Sequence, residues 1–284
     1  MRRVGHLNNV TCVHYLHEAL RKLGAAAGLA PAAHRTLRLD VAYLQPVLYG
    51  GTVEVCLAAA EQEGSLLRRA VAFTVRGSGE PAATARIDEE VGEMTLSEAA
   101  ALGSPVAPTG RGTPQTGSAE PQDGLPTGWP AAPDAIEPLP PLPAPPPGVF
   151  SQRRRVTWQD LDLDRCVPDA TPLRFAGTCG MGVIAAHGWP AERTIAAGFA
   201  IILRRTRMLI LEPALPDDEL EIATWVSDVK RVSVNRHYTI TRLADGARLA
   251  RIDTPGVWVV LAMGRPIRVP PGLLADLALN VAAG

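Results

Sequence analysis

One stretch of this chain is written twice. Residues 43–55, Tyr43-Leu44-Gln45-Pro46-Val47-Leu48-Tyr49-Gly50-Gly51-Thr52-Val53-Glu54-Val55, are echoed at 210–222 as Ile210-Leu211-Glu212-Pro213-Ala214-Leu215-Pro216-Asp217-Asp218-Glu219-Leu220-Glu221-Ile222. Further on, Ala85-Arg86-Ile87-Asp88 returns as Ala250-Arg251-Ile252-Asp253. The offsets are 167 and 165 residues, so the copies run in register with small insertions. A duplicated unit is normally one that pairs with a second copy of itself. The constraint is severe: the chain must build one small fold twice.

The 284 residues suit two such units, each large enough to bury a core. A net charge of −1 argues against a nucleic-acid partner, which calls for a strongly basic face. No apolar run is long enough to span a membrane, and the two N-terminal arginines precede no apolar segment, so a cytoplasmic protein is expected. Cys12, Cys56, Cys166 and Cys179 lack metal-ligand spacing and read as reduced, buried thiols. His14 and His17 share a helix without a carboxylate or cysteine set beside them, so neither metal nor cofactor is expected.

Residues 103–149 hold 14 of the 26 prolines and end in a run from Pro138 to Pro147. Proline lacks an amide N–H and locks φ, which predicts an extended or disordered spacer. The units are thus expected at 1–102 and 150–284. Apolar residues at helical spacing predict a helix over 9–28, followed by strands near 35–47, 52–61, 66–77 and 82–90, and a helical turn at 95–102. The second copy opens with an extra strand at 154–160. It continues with a glycine-loosened helix over 169–187, strands near 195–212, 218–229, 231–243 and 247–262, and a terminal helix over 272–281. One helix followed by long antiparallel strands is an α+β arrangement whose sheet needs cover, and pairing copy on copy would supply it.

Gly5-His6-Leu7-Asn8-Asn9-Val10 with Tyr15-Leu16-His17-Glu18-Ala19 resembles the strand-to-helix signature of hot-dog-fold thioesterases. Val156-Thr157-Trp158-Gln159-Asp160-Leu161-Asp162 is similar to the strand entering that signature in the second copy, and Gly264-Arg265-Pro266 to the tail after the last strand. The resemblance implies two tandem hot-dog units, each a curved antiparallel sheet around a central helix, forming an intramolecular pseudo-dimer open to further homo-oligomerisation. It implies hydrolysis of an acyl or aroyl thioester of acyl-carrier protein or coenzyme A, with no cofactor. The chemistry asks for a carboxylate that attacks the carbonyl or activates water, and for N–H donors at a helix start.

The family's acid precedes the signature glycine by three residues. That place is Asp162 in the second copy and Arg2 in the first, where the expected opening strand either lies upstream of Met1 or is absent from the sheet. The second copy in turn has Cys166 for the histidine and Pro168-Asp169 for the asparagines. Asp162 is the candidate acid, with His6, Asn9 and Glu18 as the polar groups of the first copy. Each has a plainer reading: Asp160, Asp162 and Asp164 as a solvated turn, His6 as a loop stitch, Asn9 as a helix cap and Glu18 as a surface charge. The degraded signatures also fit a catalytically silent acyl-thioester-binding or protein-interaction subunit. A hot-dog dehydratase or hydratase would pair His6 with Asp162. Arg153-Arg154-Arg155 and Arg204-Arg205-Arg207 are candidates for coenzyme A phosphates or an acidic carrier face.

Overall fold

The computed structural model describes residues 9–26, 34–47, 50–58, 60–91, 135–162 and 165–283. His6 and the turn expected at 95–102 lie outside them. The chain divides into two units, Met1–Glu137 and Pro138–Gly284, so the end of the proline-rich run belongs with the second.

The first unit opens with α1 (Asn9–Ala26). Val13, Leu16, Leu20 and Leu23 recur at helical spacing and are the residues it buries, with Cys12 and Ala19 between them. Its strands are β1 (His34–Tyr43), β2 (Val53–Leu57), β3 (Glu61–Glu63), β4 (Leu66–Val75) and β5 (Pro81–Val91). They form an antiparallel sheet in the order β2-β4-β5-β1, with β3 also on β4. Buried Leu39, Val41, Val55, Leu57, Val71, Phe73 and Ile87 supply the apolar side of this sheet.

The second unit begins with segment 138–149, which has no helix or strand and turns at Pro147-Gly148, and β6 (Phe150–Arg155). A single 3-10 turn at Trp158–Asp160 leads through a loop to α2 (Thr171–Ala186). Short α3 (Ala191–Ala196) precedes β7 (Phe199–Leu203) and β8 (Arg205–Ile210). Long β9 (Glu219–Ser227), β10 (Ser233–Arg242) and β11 (Arg248–Val260) follow, with α4 (Pro271–Asp276) near the end. The sheet order is β8-β11-β10-β9-β6, with β7 beside β8 on the same edge of β11. Phe175 and Cys179 of α2 pack on Leu220, Ile222, Ile240 and Leu249. Each unit is therefore a helix against an antiparallel sheet.

One departure has a local cause. Within the strand expected at 195–212, α3 ends at Ala196 and two strands follow, Phe199–Leu203 and Arg205–Ile210, that break at Arg204. Pro255 of β11 has no N–H for the neighbouring strand, and the break lets Arg204 N–H reach the Pro255 carbonyl at 2.9 Å. No helix among the described residues is long and apolar enough to cross a membrane.

Candidate active site

Asp162 sits in the loop ahead of α2, half-buried. Cys166 N–H donates to Asp162 Oδ1 at 3.0 Å, and Asp162 N–H donates back to the Cys166 carbonyl at 2.9 Å. Arg165 closes the loop with φ at +59°, the left-handed region that non-glycine residues enter at a cost. The carboxylate is thus fixed to the backbone before the helix begins.

The helix start offers fewer donors than the expected chemistry asks for. Thr171 N–H is already given to the Pro168 carbonyl at 2.8 Å, and the next residue, Pro172, has none. Beside it lies a cleft lined by Val167, Asp169, Phe175, Glu212, Leu220 and Leu249. Its volume of ≈ 20 Å³ is room for about one water, so an acyl chain would have to displace side chains to enter.

The first copy's candidates stand in the other unit. Asn9 is the first residue of α1, and its carbonyl accepts from Tyr43 Oη at 3.5 Å. Glu18 is half-exposed on the polar side of α1 and pairs with Arg21 at 3.2 Å, the surface charge that its helix position allows. His6 is not among the described residues.

Asp160, read from the sequence as part of a solvated turn, is more enclosed than Asp162. Asp160 is buried, and its side chain receives Arg154 Nη2 at 2.8 Å and Arg174 Nη2 on Oδ1, with the N–H and hydroxyl of Thr157 both at 2.9 Å on Oδ2. Burial alone would raise its pKa, but these four donors outweigh it and hold the carboxyl well below the usual range. Arg154 and Arg174 also lie over the Phe175 ring, at 4.3 and 5.1 Å from its centre. Arg154, expected to reach for phosphates, is occupied inside the unit; Arg155 pairs with Asp217 at 3.0 Å. Cys166 is exposed, whereas Cys12, Cys56 and Cys179 are buried as expected.

Sequence reasoning also missed a buried polar group in the second unit, His237 with Asp253 and Ser227. The repeated Ala-Arg-Ile-Asp motif marks Asp253, but its partners come from two other strands.

The thioesterase-like superfamily model matches residues 156–277, which include Asp162. A putative oleoyl thioesterase from Lactobacillus plantarum superimposes with a TM-score of 0.62 at 11% identity, over 90% of this chain and 91% of that one. A 12:0-ACP thioesterase from Umbellularia californica gives a TM-score of 0.60 at 14% identity, over 90% of each. No protein of curated function matches the sequence. The chain therefore has the tandem hot-dog fold, and residues 156–277 of its second unit match the thioesterase-like superfamily model.

Proposed function

We propose that the protein hydrolyses an acyl or aroyl thioester of acyl-carrier protein or coenzyme A, with Asp162 as the reacting carboxylate. The observation that carries this reading is the fixed, half-buried position of Asp162 ahead of α2, inside the residues that match the superfamily. The carboxylate either adds to the thioester carbonyl or takes a proton from the attacking water. When water attacks, cleavage of the C–S bond releases the thiol and the free acid directly. When the carboxylate adds, the same cleavage releases the thiol and leaves an acyl anhydride on Asp162, which a water then hydrolyses to the free acid. The thioesterases named above lend the substrate class by analogy of fold.

A panel of acyl-coenzyme A and acyl-carrier-protein thioesters is the direct test, run on the wild type beside Asp162→Asn. Turnover should fall by about 10²–10⁴ in the variant, the usual worth of a positioned acid or base. Undiminished hydrolysis removes Asp162 from the mechanism. A second reading, a silent acyl-thioester-binding subunit, is favoured by Cys166 in the histidine's place and by the donor-poor helix start. It predicts binding of an acyl thioester by a wild type that hydrolyses no member of the panel.

A further inference from the structure

The sheet of the second unit carries a side-chain relay that the thioester reading does not use. Tyr238 points toward α2, where its hydroxyl lies under Gly180, so its neighbour His237 points to the opposite face. On that face His237 stands across from Trp225 of β9 and Asp253 of β11, and Ser227 is the next residue of β9 on the same side. Ser227 Oγ is 2.8 Å from His237 Nε2, and His237 Nδ1 is 2.9 Å from Asp253 Oδ1. Arg251 Nη2 donates to Asp253 Oδ2 at 2.7 Å, and Arg251 Nη1 donates to the Pro140 carbonyl at 2.7 Å, tying the proline-rich segment to the acid end. Asp253 and His237 are 0% and 1% exposed. Ser227, 5% exposed, stands at the end of β9, and the next residue, Asp228, is exposed.

The duplication supplies an internal comparison. In the first unit Asp88 stands across from Arg68, as Asp253 stands across from His237. There Arg68 Nε is 3.9 Å from Asp88 Oδ1 and Arg68 Nη1 is 3.2 Å from Glu63 Oε2, a series of acid, cation and acid. The fold thus accommodates its buried carboxylate with a guanidinium, which cannot give up a proton. The second unit has an imidazole in that place and a hydroxyl beyond it. The series becomes acid, base and nucleophile, at the distances such a triad requires.

We propose that Ser227 is a nucleophile, His237 its general base and Asp253 the group that orients the imidazole, in a second acyl-transfer site that takes small, neutral esters. Ser227 Oγ bonds to the ester carbonyl carbon while its proton passes to His237 Nε2. Asp253 accepts from Nδ1–H and stabilises the imidazolium. Collapse of the adduct breaks the C–O bond to the alcohol, which leaves with the proton from Nε2. A water, deprotonated by the same imidazole, then hydrolyses the seryl ester. The net reaction consumes one ester and one water and yields one acid and one alcohol. The Trp225 ring lies 5.9 Å from the imidazole, and its buried indole N–H has no hydrogen-bond partner among the described residues; in this proposal it is the donor to the oxyanion. The Ser227 hydroxyl also donates to Asp228 Oδ2 at 3.0 Å, and attack requires that this proton turn to His237 Nε2; the same carboxylate disfavours anionic substrates, and the narrow exposure of Ser227 selects small ones.

The test is covalent labelling of the folded full chain with a small fluorophosphonate, mapped by peptide mass spectrometry. The label is expected on Ser227, with loss of fluoride, in the wild type and equally in Asp162→Asn, which separates this site from the thioester reading. Labelling is expected to vanish in Ser227→Ala and to slow by about 10²–10⁴ in His237→Gln. The wild-type map decides even where His237→Gln fails to fold. An unmodified Ser227 in folded wild type overturns the proposal, as does undiminished labelling in a His237→Gln protein that keeps the wild-type melting temperature.

Discussion

Asp160 shows how far a single side chain's role depends on groups remote in sequence. Three alternating aspartates, 160, 162 and 164, look alike in the sequence. Asp160 differs from Asp162 in that Arg154, from β6, and Arg174, from α2, converge on its buried carboxylate. Removing a buried partner of this kind costs about 3 kcal/mol, and urea unfolding of Asp160→Ala should show a loss near that size. Its folded pKa lies below the unfolded value, so its stabilisation is complete above about pH 4 and is lost as the pH falls toward the depressed folded value. Acid unfolding of the wild type should therefore steepen below about pH 4, and Asp160→Ala should lack that component.

The cysteines make a second prediction at this scale. Burial pushes the Cys12 and Cys179 thiols up to about 11, and raises Cys56 as well, while Cys166 is exposed. A disulfide reagent at pH 8 should modify one thiol quickly, Cys166, and reach the other three only on unfolding. The sequence predicted four alike. Cys166 escapes burial because it lies in the loop that holds Asp162.

Helix α2 shows why composition misleads about an element. Gly177, Gly180 and Gly182 looked like a loosened helix, yet α2 runs unbroken. A Cβ at Gly180 would collide with Tyr238 Oη, and one at Gly182 with the Gln152 side chain, so both glycines hold the helix close to the sheet. Among the described residues nothing lies within 4 Å of a Cβ added at Gly177. Gly177→Ala should then stabilise the protein by about 0.5–1 kcal/mol through helix propensity. Gly180→Ala should destabilise it by about 1–3 kcal/mol through overpacking, despite the same propensity gain. Equal shifts in the two chemical melts would mean that the packing at Gly180 is unimportant. The break between β7 and β8 likewise comes from Pro255 on the neighbouring strand, which no reading of 195–212 alone would reveal.

Across the whole chain the two copies are unequal, and the inequality is testable. If the second unit holds the thioester chemistry, Asp162→Asn should lose turnover while Glu18→Gln, whose carboxylate pairs with Arg21 at the surface, should stay within about twofold of wild type. A Glu18→Gln protein crippled in hydrolysis would move the chemistry to the first unit.

By itself the sequence determined the duplicated α+β architecture, because Val13, Leu16, Leu20 and Leu23 repeat at helical spacing and the strand patterns recur near an offset of 165. Those signals are local, each set by a period of 3.6 or 2 along the chain. Only the tertiary structure decided that Asp160 is buried, that Gly180 lies against Tyr238, and that Ser227, His237 and Asp253 meet. Each of those contacts joins residues on different elements, and pairing between strands is fixed by register in space rather than by nearness in sequence.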